Sequence, residues 1–157
     1  METGRIGYMK KILMSFWPSV YDRIIAQTKL IEFRSRYTDE ETLVYMYITS
    51  PCMEIRGIIE LGKRIDMSKV PVGSTLYSQA LHDGYKPNQY LYGMPIRSVQ
   101  ATTSLSLSDI KQSIPKFFAP QSYYILDKNI KLLHLIESKI HPINECKYNS
   151  HDFSIEI

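Results

Sequence analysis

Several charged side chains that can recognise a phosphate or a base lie close together between positions 29 and 36. Lys29, Arg34 and Arg36 place three cations within eight residues, with Glu32 among them. Alternate residues of a β-strand share a face, so Glu32, Arg34 and Arg36 are predicted to project together, the arginines ~6.6–6.8 Å apart. An arginine fork binds a phosphate or a base edge through two hydrogen bonds. Glu32 can orient an arginine or accept a hydrogen bond from a base amino group.

Flat aromatic side chains lie in the neighbouring segments of the sequence. Trp17 precedes Pro18, and Tyr45 and Tyr47 share one face of a predicted strand. An unstacked base can rest on such a ring. Two interpretations stay open: Trp17 can instead staple a helix start to the core, and packing is the commoner role of tyrosines on one strand face. The charged face over 32–36 can likewise be a solvated, salt-bridged surface.

The elements that position these residues belong to a chain of ordinary globular composition. Its 157 residues are 44% hydrophobic and 22% charged, which predicts one folded domain and excludes a mainly disordered chain. The formal net charge of +3 is too small to indicate a nucleic-acid partner by itself. Its distribution is more informative, since residues 1–36 carry a net +4 and residues 37–66 a net −3. Tyrosine is abundant, with 12 residues against 5 Phe and 1 Trp.

Motifs for several other classes of protein are missing from the sequence. No window approaches the ~20 apolar residues of a membrane span, and residues 1–11 lack the apolar core of a secretory signal. Cys52 and Cys146 are the only cysteines, and the four histidines have no metal-ligand spacing. No glycine-rich nucleotide loop and no Gly-x-Ser-x-Gly occurs. We therefore expect a cytoplasmic protein with reduced cysteines and with no metal, cofactor or membrane partner.

Hydrophobic periodicity predicts an α+β fold, a small mixed β-barrel of about six strands with inserted helices and a C-terminal helix. The predicted strands cover 10–16, 29–36, 43–49, 53–61, 96–107 and 123–126. The predicted helices cover 18–27, 72–82, 108–112 and 128–139, with a further short helix over 86–92. Gly57 interrupts its strand and indicates a bulge or a close backbone approach. We expect a single domain over 10–140, an N-terminal extension over 1–9 and a poorly ordered C-terminal tail over 141–157.

Four short segments follow one another in a pattern that covers residues 10–126. They are Ser15-Phe16-Trp17-Pro18, Lys29-Leu30-Ile31-Glu32-Phe33-Arg34, Tyr47-Ile48-Thr49-Ser50-Pro51 and Pro120-Gln121-Ser122-Tyr123. Their order and spacing resemble the ASCH domain, a branch of the PUA-like superfamily. That pattern has Ser-x-x-Pro and a helix, Gly-x-Lys-x-x-Glu-x-Arg, a strand ending in Tyr-x-(Ser/Thr)-x-Pro, and a late Pro-Gln-Ser-aromatic segment. One departure is Gln27, which stands where the family has glycine, so the turn must form without glycine's freedom.

The resemblance implies a PUA-like β-barrel with a cleft lined by the Lys29–Glu32–Arg34 strand. It also implies a role in binding RNA or a nucleotide, linked to the regulation of translation or transcripts. Lys29 and Glu32 are the candidates for catalysis, joined by Arg34 for a nuclease activity. The residues that the resemblance and the motifs assign to ligand binding are Ser15, Trp17, Lys29, Glu32, Arg34, Arg36, Tyr47, Ser50, Gln121 and Tyr123.

Two other functions remain alternatives to RNA or nucleotide binding. Some small members of the superfamily hydrolyse an acetylated cytidine amide with a lysine, a threonine three positions later and a separate glutamate. Lys29 matches that lysine, but Glu32 stands at the threonine position, so the hydroxyl nucleophile is missing there. The first alternative is thus a small hydrolase, an amidohydrolase or a nuclease, acting on a modified nucleoside or RNA. The second is a protein-interaction domain that uses a sheet edge or the helix over 128–139.

Overall fold

The computed structural model describes residues 9–86 and 90–153, and within these residues the chain forms eight strands and four α-helices. The strands are β1 (Lys10–Phe16), β2 (Ile31–Arg34), β3 (Thr42–Ile48), β4 (Glu54–Leu61), β5 (Ile65–Asp66), β6 (Tyr92–Ser106), β7 (Tyr123–Ile125) and β8 (Lys147–Tyr148). The helices are α1 (Pro18–Ile25), α2 (Thr75–His82), α3 (Leu107–Ser113) and α4 (Ile130–Lys139).

The strands form one curled mixed sheet, an open half-barrel, in the order β2-β6-β4-β3-β1-β7. β1 and β3 are parallel, and the other neighbours along this path are antiparallel. The 15-residue β6 pairs with β2 along its first residues and with β4 along the rest, and the short strands β5 and β8 also pair with it. This order leaves β2 and β7 as the edge strands, so a seam separates them.

The sheet is buried on both faces where β1 lies between β3 and β7. Ile12 and Met14 belong to a core cluster under α1, whereas Leu13 belongs to a cluster on the other face with α3 and α4. All three side chains are fully buried, as expected for a strand covered by helices on both sides. A third cluster joins β2 to α2. These helices hold the ends of β1 and β2 in place beside the seam.

Gly57 marks a bulge in β4, as its position in the sequence predicts. The register of β4 against β6 shifts between Arg56 and Ile58, and Gly57 has φ +91°. A Cβ atom there would lie 2.7 Å from the Cε atom of Met46. Only glycine meets both the dihedral requirement and the close packing at this position.

The predicted α+β fold with a small mixed barrel is confirmed, in the form of an open half-barrel. All six predicted strands are present: β1 has the predicted bounds, and the other five have shifted ends. The prediction that residues 29–36 form one strand is wrong at both ends, because β2 begins at Ile31 and stops at Arg34, and Ser35 and Arg36 lie in a bend. The predicted helix over 86–92 falls partly on residues 87–89, outside the described residues, and its last residue, Tyr92, begins β6. The predicted N-terminal extension over 1–9 also lies outside them except for Met9.

The expectation of a poorly ordered tail after Pro142 is wrong for residues 143–153. β8 pairs with β6, with Tyr148 opposite Ser98. Phe153 is buried in the cluster that also contains residues of β2 and α2. The tail is ordered because the long strand β6 offers backbone partners beyond those that β4 and β2 occupy.

Candidate functional site

A cleft of about 700 Å³ opens near the seam of the half-barrel. The end of β1, the start of α1, strand β2, the end of α2 and the segment before β7 all contribute to its walls. This volume lies in the range of small-molecule sites, which are usually ~300–1,000 Å³. The segments that form it are far apart in sequence, so the site exists only in the folded chain.

The turn between α1 and β2 sets the position of Lys29 in this cleft. Gln27 adopts φ +61°, the left-handed conformation in which glycine is favoured. Its side-chain amide donates to Asn149 Oδ1 at 2.9 Å, which links the turn to the C-terminal segment. The backbone N–H of Lys29 donates to the carbonyl oxygen of Arg23 at 3.1 Å. The turn therefore keeps a glycine-like shape, although Gln27 stands where the resemblance has glycine.

Alternating charges line the floor of the cleft. The Nζ atom of Lys29 lies 2.9 Å from Asp83 Oδ2 and 3.8 Å from Glu32 Oε1. Arg23 contacts the other oxygen of Asp83 at 2.8 Å. The side chains of Lys29, Glu32 and Asp83 are 5%, 7% and 6% exposed. Each buried charge thus faces an opposite charge, which is the condition under which burial of an ion is tolerated.

The guanidinium group of Arg34 fixes this network to both sides of the seam. Its Nε donates to Glu32 Oε2 at 2.7 Å, and NH2 donates to the carbonyl oxygen of Ser15 at 2.9 Å. NH1 donates to Ser122 Oγ at 3.4 Å. Its donors hold β2 to the end of β1 and to the segment before β7, and its Nε atom fixes the orientation of the Glu32 carboxylate.

The environment of Asp83 keeps it ionised. Burial raises the pKa of its carboxyl, but the hydrogen bonds from Lys29 and Arg23 outweigh that effect, and the net pKa lies below the ordinary value. Burial raises the pKa of the nearby Tyr85 phenol, and the charge of Glu32 adds to the rise. Tyr85 is therefore neutral near pH 7, and its ring packs 5.3 Å from that of Phe33.

Glu32 retains hydrogen-bonding capacity toward the cleft. Its Oε2 accepts from Arg34, whereas Oε1 is 3.8 Å from Lys29 Nζ, beyond hydrogen-bond distance. Within the described part of the chain Oε1 accepts no hydrogen bond, and Glu32 lines the cleft. A carboxylate accepts several hydrogen bonds. Oε1 is thus available to an N–H or O–H group of a ligand.

Trp17 contributes an exposed aromatic ring to the lining of the cleft. It caps the N-terminus of α1 through its backbone, and its side chain is 71% exposed. A residue that staples a helix to the core would be buried, so the packing interpretation of Trp17 is wrong. Tyr47, in contrast, is buried in the cluster under α3 and α4, which favours the packing interpretation.

The structure brings six of the ten predicted binding residues to the cleft: Ser15, Trp17, Lys29, Glu32, Arg34 and Gln121. Four do not line it. Arg36 is exposed beyond the end of β2, and Ser50 is exposed in the turn after β3. Tyr47 is buried in the core, and the Tyr123 ring packs 5.1 Å from that of Tyr37. The prediction that Arg34 and Arg36 project from one face of the same strand is therefore wrong.

Nine residues that line the cleft were not among the predicted binding residues, and two of them, Arg23 and Asp83, belong to its charge network. Asp83 is the C-cap of α2, and it precedes Gly84, which has φ +86°. In the sequence this Asp-Gly pair indicates only the end of a helix. Because Asp83 lies 54 residues from Lys29, no local pattern connects the two.

The described residues include no group of three His, Cys, Asp or Glu side chains placed to hold a metal ion. None of the helices in the described ranges is long and apolar enough to cross a membrane. No protein-family model matches the sequence, and a comparison with curated proteins gives no significant match.

Solved structures of one bacterial protein share this fold. A Tyr-to-Phe mutant of the ASCH protein of Zymomonas mobilis superposes with a TM-score of 0.64 and 20% identity, covering 84% of this chain and 99% of that one. A Ser-to-Ala mutant gives a TM-score of 0.62 and 21% identity over 83% and 96% of the two chains. A third structure, of ASCH from the same organism, gives a TM-score of 0.59 and 23% identity, covering 80% of this chain and 95% of that one.

The fold and the cleft thus define a small α+β half-barrel domain with a ligand-sized site at its seam. More particularly, the chain has the fold of an ASCH domain. This confirms the fold that the four sequence segments predict.

Proposed function

We propose that this protein is an ASCH-family module that binds RNA by holding one unstacked base in the seam cleft. The ring of Trp17 stacks on the base, and Glu32 Oε1 accepts a hydrogen bond from an amino group on its edge. The general association of ASCH-like domains with nucleic acid supports this proposal.

One observation carries the proposal: a buried acceptor lies at the floor of a cleft whose rim holds an exposed indole. Glu32 is 7% exposed and Trp17 is 71% exposed, and both line the same cavity of about 700 Å³. Because Trp17 is exposed and also lines the cleft, its ring is accessible to a ligand group. Aromatic stacking combined with hydrogen bonding to the base edge is the usual mode of single-strand recognition.

The charges of the cleft favour a base over a run of phosphates. Arg23, Lys29 and Arg34 face Glu32 and Asp83, so the five groups sum to +1. A groove that tracks a polymer backbone is strongly basic. The site thus fits a nucleoside-sized group, with phosphates outside the floor.

A hydrolase acting on a modified nucleoside is the second candidate. The Lys29–Asp83 contact of 2.9 Å supports it, because a carboxylate beside the lysine supplies the separate acidic group of that superfamily branch. Glu32 at the threonine position argues against it. Incubation with acylated cytidine separates the two functions, since a hydrolase releases product and a binding module does not.

Titration of fluorescently labelled single-stranded RNA tests the proposed function by anisotropy. Trp17→Ala is expected to weaken binding about tenfold or more, because base stacking contributes ~1–3 kcal/mol. Phe118→Ala is the matched control, since it removes another exposed aromatic ring that does not line the cleft. Equal affinity of the Trp17→Ala variant and the parent would overturn the proposal.

We further propose a cytoplasmic role in the regulation of translation or transcripts. The two cysteines, Cys52 and Cys146, are both free thiols in the structure, which suits a reducing compartment. Recovery of cellular RNA crosslinked to the protein, but not to the Trp17→Ala variant, is the expected result.

A further inference from the structure

The carboxylate of Asp83 occupies the place of an anion between two cations. Its Oδ1 contacts Arg23 at 2.8 Å and its Oδ2 contacts Lys29 at 2.9 Å, so each oxygen is committed to one cation. Asp83 is 6% exposed, and all three residues line the seam cleft. A phosphate bound between Arg23 and Lys29 would need these same positions. The Asp83 carboxylate therefore occupies the position in which a phosphate could bind between these two cations.

We infer that Asp83 determines specificity in the cleft by excluding phosphate from its floor, so that the floor accepts only uncharged groups such as a nucleoside base. This inference rests on the proposed function and adds the chemical class of the group that enters the site. Like charges brought together in a buried site strongly disfavour binding. A ligand phosphate beside Asp83 would meet such a charge, whereas a neutral base would not.

The other charged groups of the floor do not provide an alternative phosphate site. Arg34 donates to Glu32, to Ser15 and to Ser122. The ammonium group of Lys29 lies between two carboxylates, those of Asp83 and Glu32. Without the charge of Asp83, however, Arg23 and Lys29 would face the cleft with no anion between them. Asp83 thus has a larger effect on the choice between neutral and anionic ligands than any other carboxylate of the site.

The experiment compares a nucleoside with its 5′-monophosphate, followed by the emission of Trp17, the only tryptophan of the chain. For the parent protein we expect affinities for the two ligands that agree within about threefold, and no competition by inorganic phosphate at constant ionic strength. For Asp83→Asn we expect the monophosphate to bind about tenfold or more tightly than the nucleoside, and phosphate to compete. Asp39→Asn, which removes an exposed carboxylate outside the cleft, leaves the parent ratio unchanged.

The outcomes separate this inference from the proposed function. A folded Asp83→Asn variant that keeps the parent ratio overturns the inference and leaves base binding intact. A tenfold preference of the parent for the monophosphate also overturns it, and that comparison needs no variant. If the parent binds neither nucleosides nor RNA, the proposed function itself fails. Asp83→Glu keeps the charge and is expected to retain the parent ratio of the two affinities. If Asp83 had only a structural role, Asp83→Glu and Asp83→Asn would give the same ratio.

Discussion

Lys29 and Asp83 are separated by 54 residues, yet Lys29 Nζ lies 2.9 Å from Asp83 Oδ2, and the two side chains are only 5% and 6% exposed. Lys29 follows the turn after α1, and Asp83 caps the C-terminal end of α2. The contact therefore joins two elements that enter the half-barrel from different parts of the chain. Both the stability of the site and its electrostatic character depend on it.

Removal of the Lys29 charge should destabilise the fold. Lys29→Met leaves the Asp83 carboxylate and the Glu32 carboxylate with less compensation, and breaking a buried pair in this way costs about 3–5 kcal/mol. The free energy of unfolding, measured with urea, should fall by that amount. Lys11→Met is the matched control, because Lys11 pairs with Glu137 at the surface, and its loss should cost less than about 1 kcal/mol. Similar losses in the two variants would show that the Lys29 network contributes no more than a surface pair.

The contribution of Asp83 to stability should depend on pH in one direction. Its folded-state pKa is lowered, so the stabilisation is present above the ordinary carboxyl value of about 4 and is lost as the pH falls through the folded-state pKa. The difference in melting temperature between the parent and Asp83→Asn should be large at pH 6 and should shrink toward pH 3. A difference that stays constant, or widens on acidification, would contradict the assigned pairing.

Arg34 and Arg36 should behave differently although they are two positions apart. Arg34→Ala removes hydrogen bonds to Glu32 and to the Ser15 carbonyl oxygen, and should cost at least about 2 kcal/mol of unfolding free energy. Arg36 is exposed beyond the end of β2, so Arg36→Ala should change stability by less than about 0.5 kcal/mol. Chemical denaturation of the two single variants measures both values. Equal destabilisation would mean that β2 continues to Arg36, as the sequence alone predicts.

The left-handed backbone at Gln27 predicts which of two variants at this position is the more stable. Gln27→Ala and Gln27→Gly both lose the side-chain hydrogen bond to Asn149, but only glycine is free of strain at φ +61°. Gln27→Gly should therefore be more stable than Gln27→Ala by about 1 kcal/mol. Thermal unfolding of the pair, compared with the parent, gives this difference. A more stable alanine variant would contradict the assigned turn geometry.

The parts of the fold that the sequence predicts are those with local causes. The alternation over residues 10–16 predicts β1 with the same bounds as the structure, and Pro18 correctly starts α1. The end of β2 was missed because Ser35 and Arg36 continue the alternation in the sequence while the chain bends. The ordered tail was missed because β8 is only two residues long and exists through its pairing with β6.

The residues of the site also fall into two groups, those that a local sequence pattern predicts and those that only tertiary packing brings together. Lys29, Glu32 and Arg34 lie in one segment, whose alternation predicts a charged strand face, and the resemblance to the ASCH domain places that face in a cleft. Asp83 was missed because an Asp-Gly pair after a helix has an ordinary structural explanation as a helix end. The partners of the charged strand are thus set by tertiary packing, and only the folded structure shows that Arg34 is already occupied while Glu32 Oε1 is available.

If a base stacks on Trp17 above Glu32, the emission of this single tryptophan must respond to bound RNA. Titration of the parent with single-stranded RNA should quench the emission saturably, with the same dissociation constant that anisotropy gives. Glu32→Gln, which converts part of the acceptor group into a donor, should weaken the binding measured by both signals. RNA binding by anisotropy without any change in Trp17 emission would contradict the account, because the RNA would then occupy a different surface.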